Sequence, residues 1–153
     1  MSDFVDNIII LKTNVFALTP ILVSFYKNLK RQEKDILLAY FVFPIVLNNT
    51  CLERLKNIKV TSRVSKITSD KDIMAGFEER FEFYKDITNK CIQYAIECKY
   101  IKLFDDLSVS VLANNRHITD PVFEDSIKLA NNLPKVFTID VINTYYQFGI
   151  KKL

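Results

Sequence analysis

Ile36 to Leu47 reads ILLAYFVFPIVL, an unbroken apolar run with a proline inside it, set between KRQEKD and NNTCLERLK. Crossing a bilayer takes roughly 20 apolar residues, so a run this short belongs to a helix buried on all sides of a water-soluble core. Every other segment must then pack around it. Asp35 is placed to cap its N-terminus by accepting from free backbone N–H groups, while Asn48, Asn49 and Thr50 supply the polar stop and, in Thr50, the cap of a short following helix. Pro44 has no N–H for the carbonyl of Tyr40, which predicts a kink between the two. A strand is the alternative reading, because the run is rich in aromatic and β-branched residues and periodicity does not arbitrate inside it.

At 153 residues, the chain is read as one domain spanning residues 1–153, able to bury roughly 70% of the surface its unfolded form exposes. With 49% hydrophobic and 25% charged residues, the composition is that of a folded domain rather than a disordered one. MSDFVDN places acids where a signal peptide needs a positive region, so a cytoplasmic protein without a membrane partner is expected. Thiols stay reduced there, and Cys51, Cys91 and Cys98 are read as small core hydrophobes rather than disulfide partners. The net charge of +3 is well short of a dedicated nucleic-acid domain.

Along the chain, residues 13–32 form a first amphipathic helix. Thr13 or Asn14 is the cap, Leu18, Ile21, Leu22, Phe25 and Leu29 share one face, and Lys27, Lys30 and Arg31 load the last turn. After the central run, Leu52 and Leu55 point inward from a short helix, and Lys56 to Asp70 is a loop with at most one short turn or strand. From Ser69 or Asp70 the pattern is helical again. Ile73, Phe77, Phe81 and Tyr84 form one stripe, continued by Ile87, Cys91, Tyr94, Ala95 and Cys98, with a joint between two helices expected near Lys85 to Thr88. The period then drops to two, and Asp105 and Asp106 form the turn of a hairpin that continues through Leu107, Val109 and Val111. Helices followed by a hairpin give the order of a winged helix over residues 35–112. Asn114 to Asp120 is a loop, Pro121 begins a helix that Pro134 stops, and IDVINTYYQFGI is a last helix ending at Gly149. Residues 121–150 are thus C-terminal helices. The fold class is mainly α with a small β-hairpin, a winged-helix-like core carrying additional N- and C-terminal helices.

Gly76 and Gly149 are the only glycines, and neither lies in a phosphate-cradling motif. With His117 the sole histidine, Cys51, Cys91, Cys98 and His117 lack the two close ligand pairs that usually mark a zinc site. Glu78, Glu79 and Glu82 alternate with Arg80 and Lys85 opposite the apolar stripe and read as a solvated face. No nucleophile, base and orienter can be named together, so neither catalytic residues nor a cofactor are expected. Arg54, Lys56, Lys59, Arg63, Lys66 and Lys71 run through a loop with few acids beside them. They are either a contact for DNA or an acidic partner, or a solvated loop.

Five stretches, taken in order, carry a resemblance: TNVFALTPILVSFYKNL; FVFPIVLNNTCLERL from Phe41 to Leu55; the pair Thr61 and Ser62; GFEERFEFYKDITNKCIQYAI with Phe77, Arg80 and Ile96; and FGIKKL. They resemble the small middle component of bacterial three-component ABC systems, the group that includes the third subunit of the Lamassu anti-phage defence complex. In that family the first stretch is usually N-P-A-F; here Asn14 is kept and Val15 stands in place of proline. The tryptophan common after the Thr-Ser pair is absent.

The resemblance implies a noncatalytic adaptor that binds an SMC/Rad50-like ABC ATPase and an effector, often a nuclease, in a complex that detects foreign double-stranded DNA. The alternative is a freestanding winged-helix DNA-binding regulator, whose recognition helix would run from Ile87 to Lys99 with Lys90 and Lys99 as its cations. The segment from Phe137 to Ile150, with Phe137, Ile142, Tyr145, Tyr146 and Phe148, is expected either to dock on a partner or to close the domain's own core; aromatic anchors suit both.

Overall fold

Asn14 opens the part of the chain that the computed structural model describes, residues 14–112 and 119–152. Its Oδ1 accepts from the N–H of Phe16 at 2.9 Å and of Ala17 at 3.3 Å, capping helix α1 (Val15–Asn28). Leu18, Ile21, Leu22 and Phe25 are buried. The helix stops short of the expected residue 32. Leu29 is extended, with ψ 133°, so Lys30 and Arg31 leave the helix instead of loading its last turn.

The central run is helical, and it is entered through a turn of 3₁₀ helix (Asp35–Leu38) that passes into α2 (Ala39–Val46), with Pro44 inside it. Phe41, Val42, Phe43, Ile45 and Val46 are each 0% exposed. Asn48, not Thr50, caps α3 (Asn49–Arg54), its side chain accepting from the Cys51 N–H. Thr50 lies inside that helix because the helix begins two residues earlier than expected. The loop that follows holds a single turn, α4 (Ser65–Thr68). Asp70 then caps α5 (Lys71–Met74).

The expected joint near Lys85 to Thr88 does not exist. Helix α6 (Phe77–Glu97) runs unbroken for 21 residues, because Phe77, Phe81, Tyr84, Thr88, Cys91 and Ala95 alternate steps of three and four on one buried face. The break comes earlier, at Gly76, whose φ of +70° suits a residue without a Cβ. Cys98, expected in the stripe, is exposed, lying beyond the helix's last turn.

Strands β1 (Ile101–Leu103) and β2 (Val109–Val111) pair antiparallel, with Lys102 opposite Ser110. A 3₁₀ turn (Pro121–Phe123) leads into α7 (Glu124–Asn132), and a second 3₁₀ turn (Leu133–Val136) passes through Pro134 instead of stopping there. Pro134 sits where a first-turn proline loses no helical donor. Helix α8 (Val141–Gln147) ends as expected at Gly149. There the N–H of Ile150 bonds the Tyr145 carbonyl at 3.1 Å and the N–H of Gly149 bonds that of Tyr146 at 3.0 Å, the pair of bonds that defines a Schellman cap. The expected loop from Asn114 to Asp120 lies mostly outside the described residues, as does His117. The fold is mainly helical with one small two-stranded antiparallel sheet among the described residues.

Helices α1 and α2 each pack against α6 on one side and α7 on the other. The Ser126 hydroxyl of α7 donates to the Val46 carbonyl at 2.7 Å, fastening α7 to the end of α2. At the centre, Phe41 meets the rings of Phe77, Phe81, Phe137, Tyr145 and Phe148, with centroid distances from 4.5 Å to 6.4 Å. Such ring pairs add about 0.5–1.5 kcal/mol each beyond area burial.

Replacing Phe41 with alanine is expected to cost about 4 kcal/mol of unfolding free energy in a urea titration, whereas Phe83→Ala, at a position 67% exposed, stays within about 0.5 kcal/mol of wild type. The buried hydroxyl of Thr88 has no hydrogen-bond partner, so the near-isosteric Thr88→Val should be neutral or stabilising by up to about 1 kcal/mol.

Candidate functional site

Asp35 does not cap the central helix. Its side chain reaches across to the hairpin, Oδ1 accepting from the Val109 N–H at 2.8 Å while Oδ2 accepts from the Gln32 N–H at 2.9 Å. The backbone supports the same join, since the Lys34 N–H donates to Asp106 and the Ile36 N–H to Leu107. Tyr26 closes it from α1, donating its hydroxyl to the Asp35 carbonyl at 2.8 Å. Arg31 stacks over Phe104 at 3.6 Å and donates from Nε to the Ser108 hydroxyl. Burial pushes the Asp35 carboxyl above the ordinary carboxylate range, against the lowering effect of the two N–H donors and of Arg31. The group is fully buried, and it joins the first helical layer to the hairpin.

Arg80 is the second joint, and it lies off the solvated face where the charge alternation places it. Its guanidinium donates to the carbonyls of Pro44 at 3.2 Å, Ala75 at 2.8 Å and Ile73 at 2.8 Å. It thereby ties the end of α2 and the turn after α5 to α6. Glu78, Glu79 and Glu82 are exposed, with Glu82 paired to Lys85. Cys51 and Cys91 are buried, and burial pushes each thiol up to about 11. Among the described residues no cluster of three His, Cys, Asp or Glu side chains is placed to hold a metal ion.

The basic loop divides. Arg54 is paired with Asp70 and Asp72, acids distant in sequence that α5 folds back onto it. Lys56 lines an open cleft of about 600 Å³ between α3 and α7, with Glu53, Asp125 and Lys128 around it. Lys66 donates to the Asn57 carbonyl. Lys59 and Arg63 are exposed. Lys71, in the first turn of α5, is also exposed.

The C-terminal segment divides as well. Phe137 and Phe148 are buried against Phe41, and Tyr145 is half-buried with its hydroxyl donating to the Leu37 carbonyl. Burial holds the Tyr145 phenol well above its ordinary range. Ile142 and Tyr146 face outward, 63% and 81% exposed. Along α8 itself Val141, Thr144 and Tyr145 face inward while Ile142 and Tyr146 face outward, so the helix presents two faces.

A family model described as ABC-three component (ABC-3C) system Middle Component 3 matches residues 2–152. The chain belongs to that family. No curated protein and no solved structure matches this chain. In this middle component, the residues that carry the resemblance hold its corners. Asn14 is the α1 cap, with Val15 at the first helical position that proline favours. Ser62 closes a turn by accepting from the Lys59 N–H at 2.9 Å. Phe77 and Arg80 brace the entry to α6, and FGI forms the Schellman cap. No helix among the described residues is long and apolar enough to cross a membrane.

Asp35→Ala leaves the N–H groups of Gln32 and Val109 without acceptors and is expected to cost about 2–4 kcal/mol. The folded carboxyl is raised above its unfolded value, so the folded protein binds that proton more tightly. Stability from Asp35 is complete below the ordinary value and falls as pH rises through the window up to the raised one. The difference in urea midpoint between wild type and Asp35→Asn should therefore shrink as pH climbs from about 4, then level off.

Proposed function

We propose that this chain is a one-domain, noncatalytic adaptor of a cytoplasmic anti-phage defence complex of the Lamassu kind. In this reading it binds an SMC/Rad50-like ABC ATPase and helps couple sensing of foreign double-stranded DNA to an effector, a nuclease. The family match over residues 2–152 supports it, since a middle component of a three-component system has partner subunits to bridge.

The single observation that supports a partner surface on α8 is the pair Ile142 and Tyr146. They stand exposed on α8, whose opposite face is held rigidly against Phe41. Rigid, exposed aliphatic and aromatic side chains are what interface hot spots are made of. Phe137, Tyr145 and Phe148 support that surface from within, and the loop from Arg54 to Lys66 faces DNA or an acidic partner surface. A winged-helix-like core, with α6 leading into the hairpin, also suits the second reading of a freestanding DNA-binding regulator. That reading is weakened at Lys90, whose ammonium is paired with Asp86 at 3.0 Å.

Ile142→Ala and Tyr146→Ala should leave the urea midpoint unchanged while each weakens ATPase binding by about 2 kcal/mol, roughly thirty-fold in Kd. Tyr145→Ala and Phe148→Ala should instead lower the midpoint. Wild-type co-purification by the folded double variant Ile142→Ala/Tyr146→Ala would place the docking surface elsewhere. The purified chain is expected to show neither ATP hydrolysis nor DNA cleavage; turnover that survives stringent purification and vanishes on one polar substitution here would refute a noncatalytic role.

A further inference from the structure

The basic loop runs beside the segment that joins α7 to α8, and their seam opens into two grooves that share Thr138. The larger, about 520 Å³, has Lys30, Arg31 and Lys135 on its walls with Val60 from the loop. The smaller, about 230 Å³, takes Arg63 from the loop and Gln147 from α8. Among the described residues, no carboxylate lines either groove. Arg31 is committed to Phe104 and Ser108. Lys30, Arg63 and Lys135 are exposed and form no ion pair among the described residues.

We infer that this seam is a binding surface for the sugar-phosphate backbone of duplex DNA, with Lys30, Arg63 and Lys135 as its phosphate contacts. The residues come from three separate parts of the chain, and only Arg63 belongs to the loop that sequence singles out. The other two are recruited because α1 stops at Asn28 and frees Lys30, and because the 3₁₀ turn through Pro134 presents Lys135. Grooves whose described walls set these cations among apolar and neutral polar side chains, with no carboxylate, suit phosphate oxygens read without regard to base sequence. Arg54 and Lys56, by contrast, already have carboxylates beside them. The inference rests on the reading that this chain meets DNA within its complex, but its test does not need the complex.

The full-length chain is titrated onto a short labelled duplex of mixed sequence, with anisotropy followed between about 50 and 200 mM salt. For the triple variant Lys30→Glu/Arg63→Glu/Lys135→Glu, the slope of log K against log salt should be shallower by about 2.7. Wild type then loses about 40-fold more affinity than the variant over that range. Should the triple variant fail to melt cooperatively, Lys30→Ala/Lys135→Ala is expected to flatten the slope by about 1.8. The charge-matched set Lys90→Glu/Lys99→Glu/Lys102→Glu should keep the wild-type slope. The inference is overturned by no duplex binding at the lowest salt, by an unchanged slope in the seam variants, or by loss confined to the charge-matched set, which moves the contact to α6 and the hairpin. It is equally overturned if polyglutamate displaces the duplex as well as unlabelled duplex does at equal charge, which assigns the seam to an acidic protein. Failure of ATPase co-purification at Ile142 and Tyr146 is a separate outcome and leaves the anisotropy result standing.

Discussion

The ring of Phe41 has to be covered from every direction, and no neighbouring stretch of sequence can do it alone. Phe77 and Phe81 approach from α6, and Phe137, Tyr145 and Phe148 from the far end of the chain. Hydrophobic burial is not directional, so these rings by themselves would tolerate several arrangements around the central helix. The arrangement is fixed by what happens at the edges of the cluster. There Tyr145 commits its hydroxyl to the Leu37 carbonyl, and the Schellman cap at Gly149 turns Ile150 back under α8.

Two charged side chains convert that apolar cluster into a specific fold. Asp35 is a carboxylate with no access to water, kept in place by N–H groups from either side of the join it makes. Arg80 spends its guanidinium on three backbone carbonyls that α2 and the turn after α5 leave without helical donors. Each group is costly to strand, so each penalises packings that would satisfy the rings equally well but place the hairpin or α5 elsewhere. Exposed ion pairs within one helix, such as that of Lys90 with Asp86, contribute little to stability beside these joints.

Local rules found most of the elements. The apolar run, the Asn14 cap, the hairpin turn and the Gly149 stop all follow from neighbouring residues, and so were legible. What local rules misjudged was decided by distant residues. Asp35 reads as a cap because its partner Val109 lies far along the chain. Arg80 reads as solvated because its acceptors are carbonyls, which carry no signature in sequence. No local signal requires the joint expected near Lys85 to Thr88, whereas the uninterrupted alternation from Phe77 to Ala95 and the single glycine before it are the better guides. The same limit applies to the sites. Arg54 reads as available because Asp70 and Asp72 are remote in sequence, Lys30 reads as part of a helix end, and Lys135, just past Pro134, carries no local signal. Only the folded chain sets Lys30 and Lys135 around one groove and Arg63 on the groove beside it. In and around α8, composition registers five large side chains but not that they divide between an inner and an outer face.

The cluster around Phe41 also sets an order on the making of the protein. A ribosome releases α1, α2 and the greater part of α6 long before it reaches Phe137, Tyr145 and Phe148. Until those three rings arrive, the most apolar helix of the chain has one side uncovered. An apolar helix with an open side invites non-native contacts. Helix α8 acts as the latch that ends this interval, and the same seven residues that seal the interior on one side present Ile142 and Tyr146 on the other. That outer surface takes its form only once the core beneath it is shut.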